Sequence, residues 1–361
     1  MSPGSCRCFA TFMSDYAIIA GLALITSLTL VLPFSVKRVE DDLEAFLFAM
    51  GLCAVSISGL WSLGLIKEAL KEPLAITAAV GAVGWLFSRL RPRLRGALQY
   101  LTARLGLRGA IFAVVAALGL GSSFFTAIIA ALVLSEIVTL LRLKRGYEVK
   151  LTVYACYAIG LGAALTPLGE PLSTIVIAKL RGPLHEAGFF YLLQNLGAWI
   201  IPGVLLAAFM AARGAEEAEA AGPGLREDSP DTGRDIAVRT LKVYAFVMAL
   251  IFLGAGLTPL AERFMAKMPA WALYWANSVS AILDNATLAA AEITPAMTDR
   301  QIKFVLMGLL ISGGMLIPGN IPNIVSAGKL GIKSREWARA ALPFGAVLMT
   351  GYFILLSALA R

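Results

Sequence analysis

Two apolar stretches of this 361-residue chain, 151–180 and 302–332, each carry a Gly/Pro cluster at mid-length, and two more, 109–141 and 271–293, are interrupted by small polar residues. The environment decides what such breaks mean. Lipid offers no partner for freed backbone N–H and C=O groups, so a break at membrane depth is costly unless it lines a polar cavity. The composition puts these stretches in a membrane: 58% of residues are hydrophobic and 15% charged, where soluble domains carry about 25% charge. The chain therefore reads as an all-α membrane protein of about ten segments. The other apolar runs are 16–35, 43–64, 73–88, 188–212, 239–260 and 340–360.

The net charge of +8 would suit nucleic acid, but its placement does not. Arg89, Arg91, Arg93, Arg95, Arg104 and Arg108 form a basic connection, and Arg142, Lys144, Arg145 and Lys150 form a second. Short basic loops mark the cytoplasmic side, so no nucleic-acid partner is expected, and the location is a plasma (inner) membrane crossed many times. A straight helix over 109–141 would be about 50 Å long against a hydrocarbon core of about 30 Å, and both its flanks are basic. A hairpin that enters and leaves on one side fits, with its turn at Gly119, Gly121, Ser122 and Ser123. Counting crossings onward makes hairpin 271–293 dip from the opposite face.

The expected organisation is therefore a tail and two extra helices (1–72), a first repeat (73–212) with hairpin 109–141 and broken helix 151–180, a cytoplasmic linker (213–238), and an inverted second repeat (239–361) with hairpin 271–293 and broken helix 302–332. A gap-free match supports the duplication: Gly162, Leu165, Pro167 and Pro171 align with Gly313, Leu316, Pro318 and Pro322. Residues 1–12 read as a tail, or as a start-site artefact with Met13 as the true start. Cys6 and Cys8 are weak metal evidence, and Cys53 and Cys156 read as small buried hydrophobes.

Four breaks, two per inverted half, form the pattern of a secondary transporter with its site at the bilayer midplane. An embedded enzyme is the competing class, but the chain has no Walker A sequence, no His-Glu-x-x-His and no nucleophile with a plausible base. Its one histidine, His185, reads as a loop residue, so no catalytic residue, resident metal or cofactor is expected. The chemistry sits in the acids: Glu136, Glu170, Asp284 and Glu292 lie in apolar segments, where an ionisable group is a functional candidate by default.

Asp284 and Glu170 fall at predicted breaks, where Asn285, Ser280, Thr287, Thr166, Ser173 and Thr174 add oxygens, as do Ser123 and Thr126 in the first hairpin and Asn320 and Asn323 in the second broken helix. Hard oxygen donors with one or two carboxylates suit a small cation, and low dielectric favours the protonated carboxyl, so one site can hold Na⁺ or H⁺. The plain reading is that these acids cap half-helix N-termini. Glu136 and Glu292 are candidates for a proton relay or for snorkelling to the interface, and Lys179 and Lys329 read as interface anchors. Gly162, Pro167, Gly169, Pro171, Gly313, Gly314, Pro318, Gly319 and Pro322 shape the breaks.

Ser280-Ala-Ile-Leu-Asp-Asn285-Ala-Thr-Leu-Ala-Ala-Ala resembles the Ser-Ala-x-x-Asp-Asn-x-Pro-Leu-Val-Ala-Ala hairpin motif of NhaD-type sodium/proton antiporters, in the ion transporter superfamily. Gly162-Ala-Ala-Leu-Thr-Pro-Leu-Gly-Glu170-Pro-Leu-Ser-Thr174 is similar to their Gly-Gly-Ala-x-Ser-Pro-Ile-Gly-Asp-x-Thr-Thr. The resemblance implies Asp284, Asn285, Thr166 and Glu170 as ion and proton ligands, and a homodimer. There are departures: the first hairpin lacks the Asp-Asn pair, Glu170 replaces Asp, and Ala286 stands for Pro. A sodium-coupled anion or organic-acid transporter of the same superfamily is the alternative, with half-helix N-termini holding the substrate's charge.

Overall fold

The computed structural model describes residues 3–215, 233–265, 268–283 and 285–359. Asp284 and most of the expected linker lie outside the described residues. Within them the chain is helical, with no strand. The first helices are α1 (Pro3–Ser35), α2 (Lys37–Asp41) and α3 (Leu43–Ser58), which ends on left-handed Gly59 (φ 68°). The expected N-terminal tail is thus helical from Pro3, and Cys6 and Cys8 fall within α1. Cys156 is buried as expected, whereas Cys53 is exposed on α3.

Next comes α4 (Leu63–Phe125), whose N-cap Ser62 accepts a hydrogen bond from the Leu65 N–H at 3.0 Å. The arginine-rich stretch is not a loop: α4 runs through it and breaks its helical dihedrals at Gly106 (φ 70°, ψ 167°). Arginine is a good helix former, and Arg93, Arg95, Arg104 and Arg108 are exposed. The turn of the first hairpin also differs from expectation. Gly119–Ser123 stay helical, and the chain breaks at Thr126 (φ 77°, ψ 145°) before α5 (Ala127–Leu141). The glycines serve a helix crossing instead: a Cβ on Gly162 would lie 1.8 Å from the Gly119 carbonyl oxygen. Ser122 Oγ stitches the same crossing by donating to the Gly119 and Ile159 carbonyls at 2.6 and 3.0 Å.

The chain continues as α6 (Arg145–Ala163), α7 (Pro171–Lys179), α8 (Tyr191–Ala212), α9 (Gly233–Met265) and α10 (Ala270–Ala276). A 3₁₀ turn (Asn277–Ala281) leads to α11 (Asn285–Glu292), then α12 (Asp299–Gly313), a 3₁₀ turn (Ile317–Gly319), α13 (Ile321–Leu330) and α14 (Ser334–Leu359). Five stretches are long and apolar enough to cross a membrane: Tyr16–Pro33, Pro92–Phe125, Tyr191–Ala212, Thr240–Leu260 and Ser334–Leu359. Their outward faces carry exposed leucine, valine and phenylalanine, such as Leu24, Phe209 and Val347. The protein is an integral membrane protein by these helices.

α6 and α12 are buried on every side from Val149 and Ile302 onward apart from Lys150, Tyr154 and Lys303, the signature of central helices. Phenol groups tie α14 to its neighbours: Tyr157 Oη donates to the Ala341 carbonyl, Tyr274 Oη to Met349 and Tyr352 Oη to Trp199, at 3.0, 2.8 and 2.6 Å. Contacts also identify the two ends of the bundle. Arg145 pairs with Glu336 at 2.9 Å at one end, where Tyr147 Oη donates to the Ala211 carbonyl at 2.5 Å. At the other end Tyr191 Oη donates to Asp299 at 3.2 Å, and Asp299 lies 3.3 Å from His185.

Candidate functional site

Each central helix stops and restarts. α6 ends at Ala163, residues 164–170 cross as turns, and Pro171 opens α7 at a position where its missing N–H is no loss. α12 ends at Gly313 and α13 resumes at Ile321, with Pro322 in its first turn. The two breaks need glycine for the same reason. A Cβ on Gly169 would lie 2.0 Å from the Ala163 carbonyl oxygen, and one on Gly319 would lie 2.5 Å from that of Gly313. Gly313 and Gly314 give room to the Asn285 carboxamide and the Tyr157 ring.

Polar side chains then bind the freed carbonyls. Thr166 donates to Ser123 O, while Ser123 donates to Leu120 O at 2.7 Å. Ser173 donates to Ala164 O at 3.1 Å and Thr174 to Pro167 O at 2.8 Å. Asn323 Nδ2 donates to the Gly313 and Leu316 carbonyls at 2.8 and 2.9 Å. In the second hairpin Ser280 donates to Asn285 Oδ1 and, at 3.4 Å, to Leu309 O. Thr126 caps α5 by accepting from the Ile129 N–H. Seven of the predicted oxygen donors thus make hydrogen bonds around the breaks.

Three others meet. Glu170, Asn285 and Asn320 line one cavity of about 70 Å³, together with Ala127 of α5, Pro171 of α7, Ala286 of α11 and Ile321 of α13. The first turns of four half-helices converge there. Each N-terminus carries roughly half a positive charge, and Glu170 is the only charged side chain among the described lining residues. Glu170, Asn285 and Asn320 are 8%, 3% and 7% exposed. Asn320 fits against α6 because residue 160 is glycine: a Cβ there would lie 2.6 Å from its Nδ2. Pro171, Ala286 and Ile321 also line a larger cavity of about 320 Å³, which adds Thr287, Glu68 and Glu72.

A model of a family described as a protein of unknown function, DUF1646, matches residues 19–359. The chain belongs to the DUF1646 family. No curated protein matches it.

Two other candidate acids of this DUF1646 chain, Glu136 and Glu292, do not line the cavity. Glu136 on α5 forms a buried ion pair with Lys329 on α13. Glu292, the last residue of α11, is 3% exposed and accepts from Asn277 Nδ2 at 3.0 Å. Lys179 on α7 donates to the carbonyls of Ala290 and, at 3.2 Å, Ile293 at the end of α11. The two lysines are thus tied to opposite hairpins rather than anchored at an interface.

Contacts around the two breaks correspond, and within the broken helices they keep one register, Ala163 with Gly313 and Glu170 with Asn320, while Ser122 and Ser280 are offset by eight residues more. Ser122 donates to Ile159 O as Ser280 donates to Leu309 O; Ala163 faces Gly169 as Gly313 faces Gly319. Glu170 and Asn320 are both extended N-cap residues, and Lys179 and Lys329 both reach across to a hairpin. This register differs by one residue from the gap-free motif match, which pairs Glu170 with Ile321. Asn277 and Ser312 are not among the sequence candidates. Ser312 donates to Asn277 O at 2.6 Å; the spacing of Asn277 and Ser280, one helical turn apart in an apolar run, is the signal that could have found Asn277.

Proposed function

We propose that this protein is a secondary active transporter that exchanges a small cation, Na⁺ by resemblance, for protons at the cavity between the helix breaks. The observation that carries the reading is the charge of that cavity: among the described residues its lining offers one buried carboxyl and two carboxamides, and no lysine or arginine. The partial positive charge of four helix N-termini favours a carboxylate at Glu170, and oxygen donors replace part of a cation's water shell. A proton on the carboxyl and a cation beside it are mutually exclusive occupants. Glu68 and Glu72 on the wall of the adjoining cavity would raise the local cation concentration on the approach.

The matching contacts around the breaks support a duplicated architecture, and the basic flanks of hairpin 109–141 support opposite insertion of the two hairpins. In this reading the end bearing Arg145 and Glu336 is cytoplasmic, in the plasma membrane, and the end bearing His185 and Asp299 faces out. The resemblance of residues 280–291 to NhaD-type antiporters adds Asp284, which directly precedes α11, as a second carboxyl.

A second reading, a sodium-coupled anion transporter, is favoured by the same four N-termini, which attract negative charge. Glu170 opposes it by repelling an anion. Proteoliposomes containing a pH-sensitive dye separate the two: an imposed Na⁺ gradient should move protons, and Glu170→Gln should abolish the signal while the protein stays monodisperse. Undiminished exchange in Glu170→Gln, or Na⁺-dependent anion uptake with no proton movement, would overturn the cation reading.

A further inference from the structure

Glu292 is a buried acid whose surroundings differ from those of every other acid described above. Its Oε2 accepts from Asn277 Nδ2 at 3.0 Å, while its Oε1 is buried with no hydrogen-bond partner. Asn277 is fully buried too; its Nδ2 also donates to the Val305 carbonyl at 3.2 Å, and its own Oδ1 has no partner. Two buried oxygens without donors, on two side chains bonded to each other, make an environment hostile to a negative charge.

Among the described residues, Lys179 is the charged side chain that reaches this turn of α11. It does not neutralise Glu292; its ammonium is spent on the carbonyls of Ala290 and Ile293. The group that bonds Glu292 is uncharged: Asn277 of the 3₁₀ turn, whose Nδ2 also donates to the Val305 carbonyl of α12. The corresponding half behaves differently. There Lys329, the counterpart of Lys179, pairs directly with Glu136. One buried carboxylate is thus balanced by a lysine, whereas the other makes no ion pair among the described residues. Neither Glu292 nor Asn277 lines the two cavities described above, and a proton, unlike a metal ion, needs no cavity.

We infer that Glu292 binds a proton in this structure and is a proton site of the exchange, spatially separate from the cation cavity at Glu170, Asn285 and Asn320. Asn277 is its positioning residue, since the carboxamide fixes one oxygen and leaves the other to hold the proton. The role in exchange rests on the transport reading; the protonation does not. Loss of the proton leaves a carboxylate one residue from the Lys179 contacts, so Lys179 is the cation able to take its place.

Infrared spectroscopy of the full chain in liposomes tests the protonation without transport. At neutral pH the wild type should show the C=O stretch of a protonated carboxyl in apolar surroundings. Glu292→Gln should remove that band, Glu170→Gln should keep it, and Asn277→Ala should shift it. The last variant keeps the carboxyl and so decides the matter even if Glu292→Gln fails to fold. A band that survives Glu292→Gln, or that ignores Asn277→Ala, overturns the assignment. Calorimetric Na⁺ titration tests the role in exchange. A competing proton weakens apparent Na⁺ affinity up to about tenfold per pH unit, and Glu292→Gln should flatten that dependence while Na⁺ still binds within about threefold at high pH. An unchanged pH dependence overturns the role. If the wild type binds and moves no Na⁺, the transport reading falls, and the band still decides the proton.

Discussion

Breaking the Glu136–Lys329 pair should destabilise the protein sharply, whereas removing both charges together should not. Both side chains are 4% exposed, at the interface of α5 and α13 where Ala131, Leu132 and Val325 also pack. Glu136→Gln leaves a buried ammonium; Lys329→Met leaves a buried carboxylate. A stranded charge escapes by neutralising, which sets a ceiling: at pH 7 that costs about 4.6 kcal/mol for an ordinary lysine and about 3.7 kcal/mol for an ordinary glutamate. Single removals from buried pairs cost about 3–5 kcal/mol, in line with that ceiling.

The sign of the pH dependence separates the two variants. In Glu136→Gln the folded state favours neutral Lys329 and binds fewer protons than the unfolded state, so stability recovers as pH rises. In Lys329→Met the folded state favours neutral Glu136 and binds more protons, so stability recovers as pH falls. The double variant Glu136→Leu/Lys329→Met replaces the pair by apolar groups and should lie within about 1 kcal/mol of the wild type. Equilibrium unfolding in mild detergent, followed by tryptophan fluorescence at several pH values, measures all three. Single-variant costs that add in the double, or slopes of equal sign, would refute the idea that this is a buried, mutually dependent pair.

Three further outcomes are expected. Gly169→Ala should lower the melting temperature or abolish monodisperse expression, because its Cβ would sit 2.0 Å from the Ala163 oxygen; Gly182→Ala, with nothing within 4 Å, should change stability by less than about 0.5 kcal/mol. Asn323→Leu should cost roughly 2 kcal/mol, since it strands the Gly313 and Leu316 carbonyls; a melting curve that does not move would count against that network. Glu336→Gln removes a bridge whose side chains are 43% and 32% exposed, so it should cost less than about 1 kcal/mol and nothing measurable in molar salt.

Much of the helical framework was legible in the chain. The Gly/Pro clusters at 162–171 and 313–322 coincide with the ends of α6 and α12 and the starts of α7 and α13, because proline and glycine act on their own backbone. The first hairpin was not legible in the same way. Glycine serves a turn and a close helix crossing equally well, and only the presence of Gly162 against Gly119 shows that residues 119–123 cross rather than turn. The arginine stretch has the same ambiguity: its charge suggested a connection, while its propensity made a helix. Ser123, Ser173 and Thr174 hold carbonyls three to nine residues away, an outcome that the local sequence permits but does not choose, whereas Thr166 and Ser280 reach carbonyls far along the chain.

What the sequence determined by itself is the medium and the interruptions: apolar runs too long and too poor in charge for water, broken where glycine and proline stand. Tertiary structure decided which oxygens meet. The starts of α5, α7, α11 and α13 are far apart in the chain and share a cavity only because the helices pack around it. The same holds for Lys329 and Glu136, 193 residues apart, and for the orphaned oxygen of Glu292. Local propensity acts over a few residues, whereas burial, pairing and charge balance belong to the packed state alone.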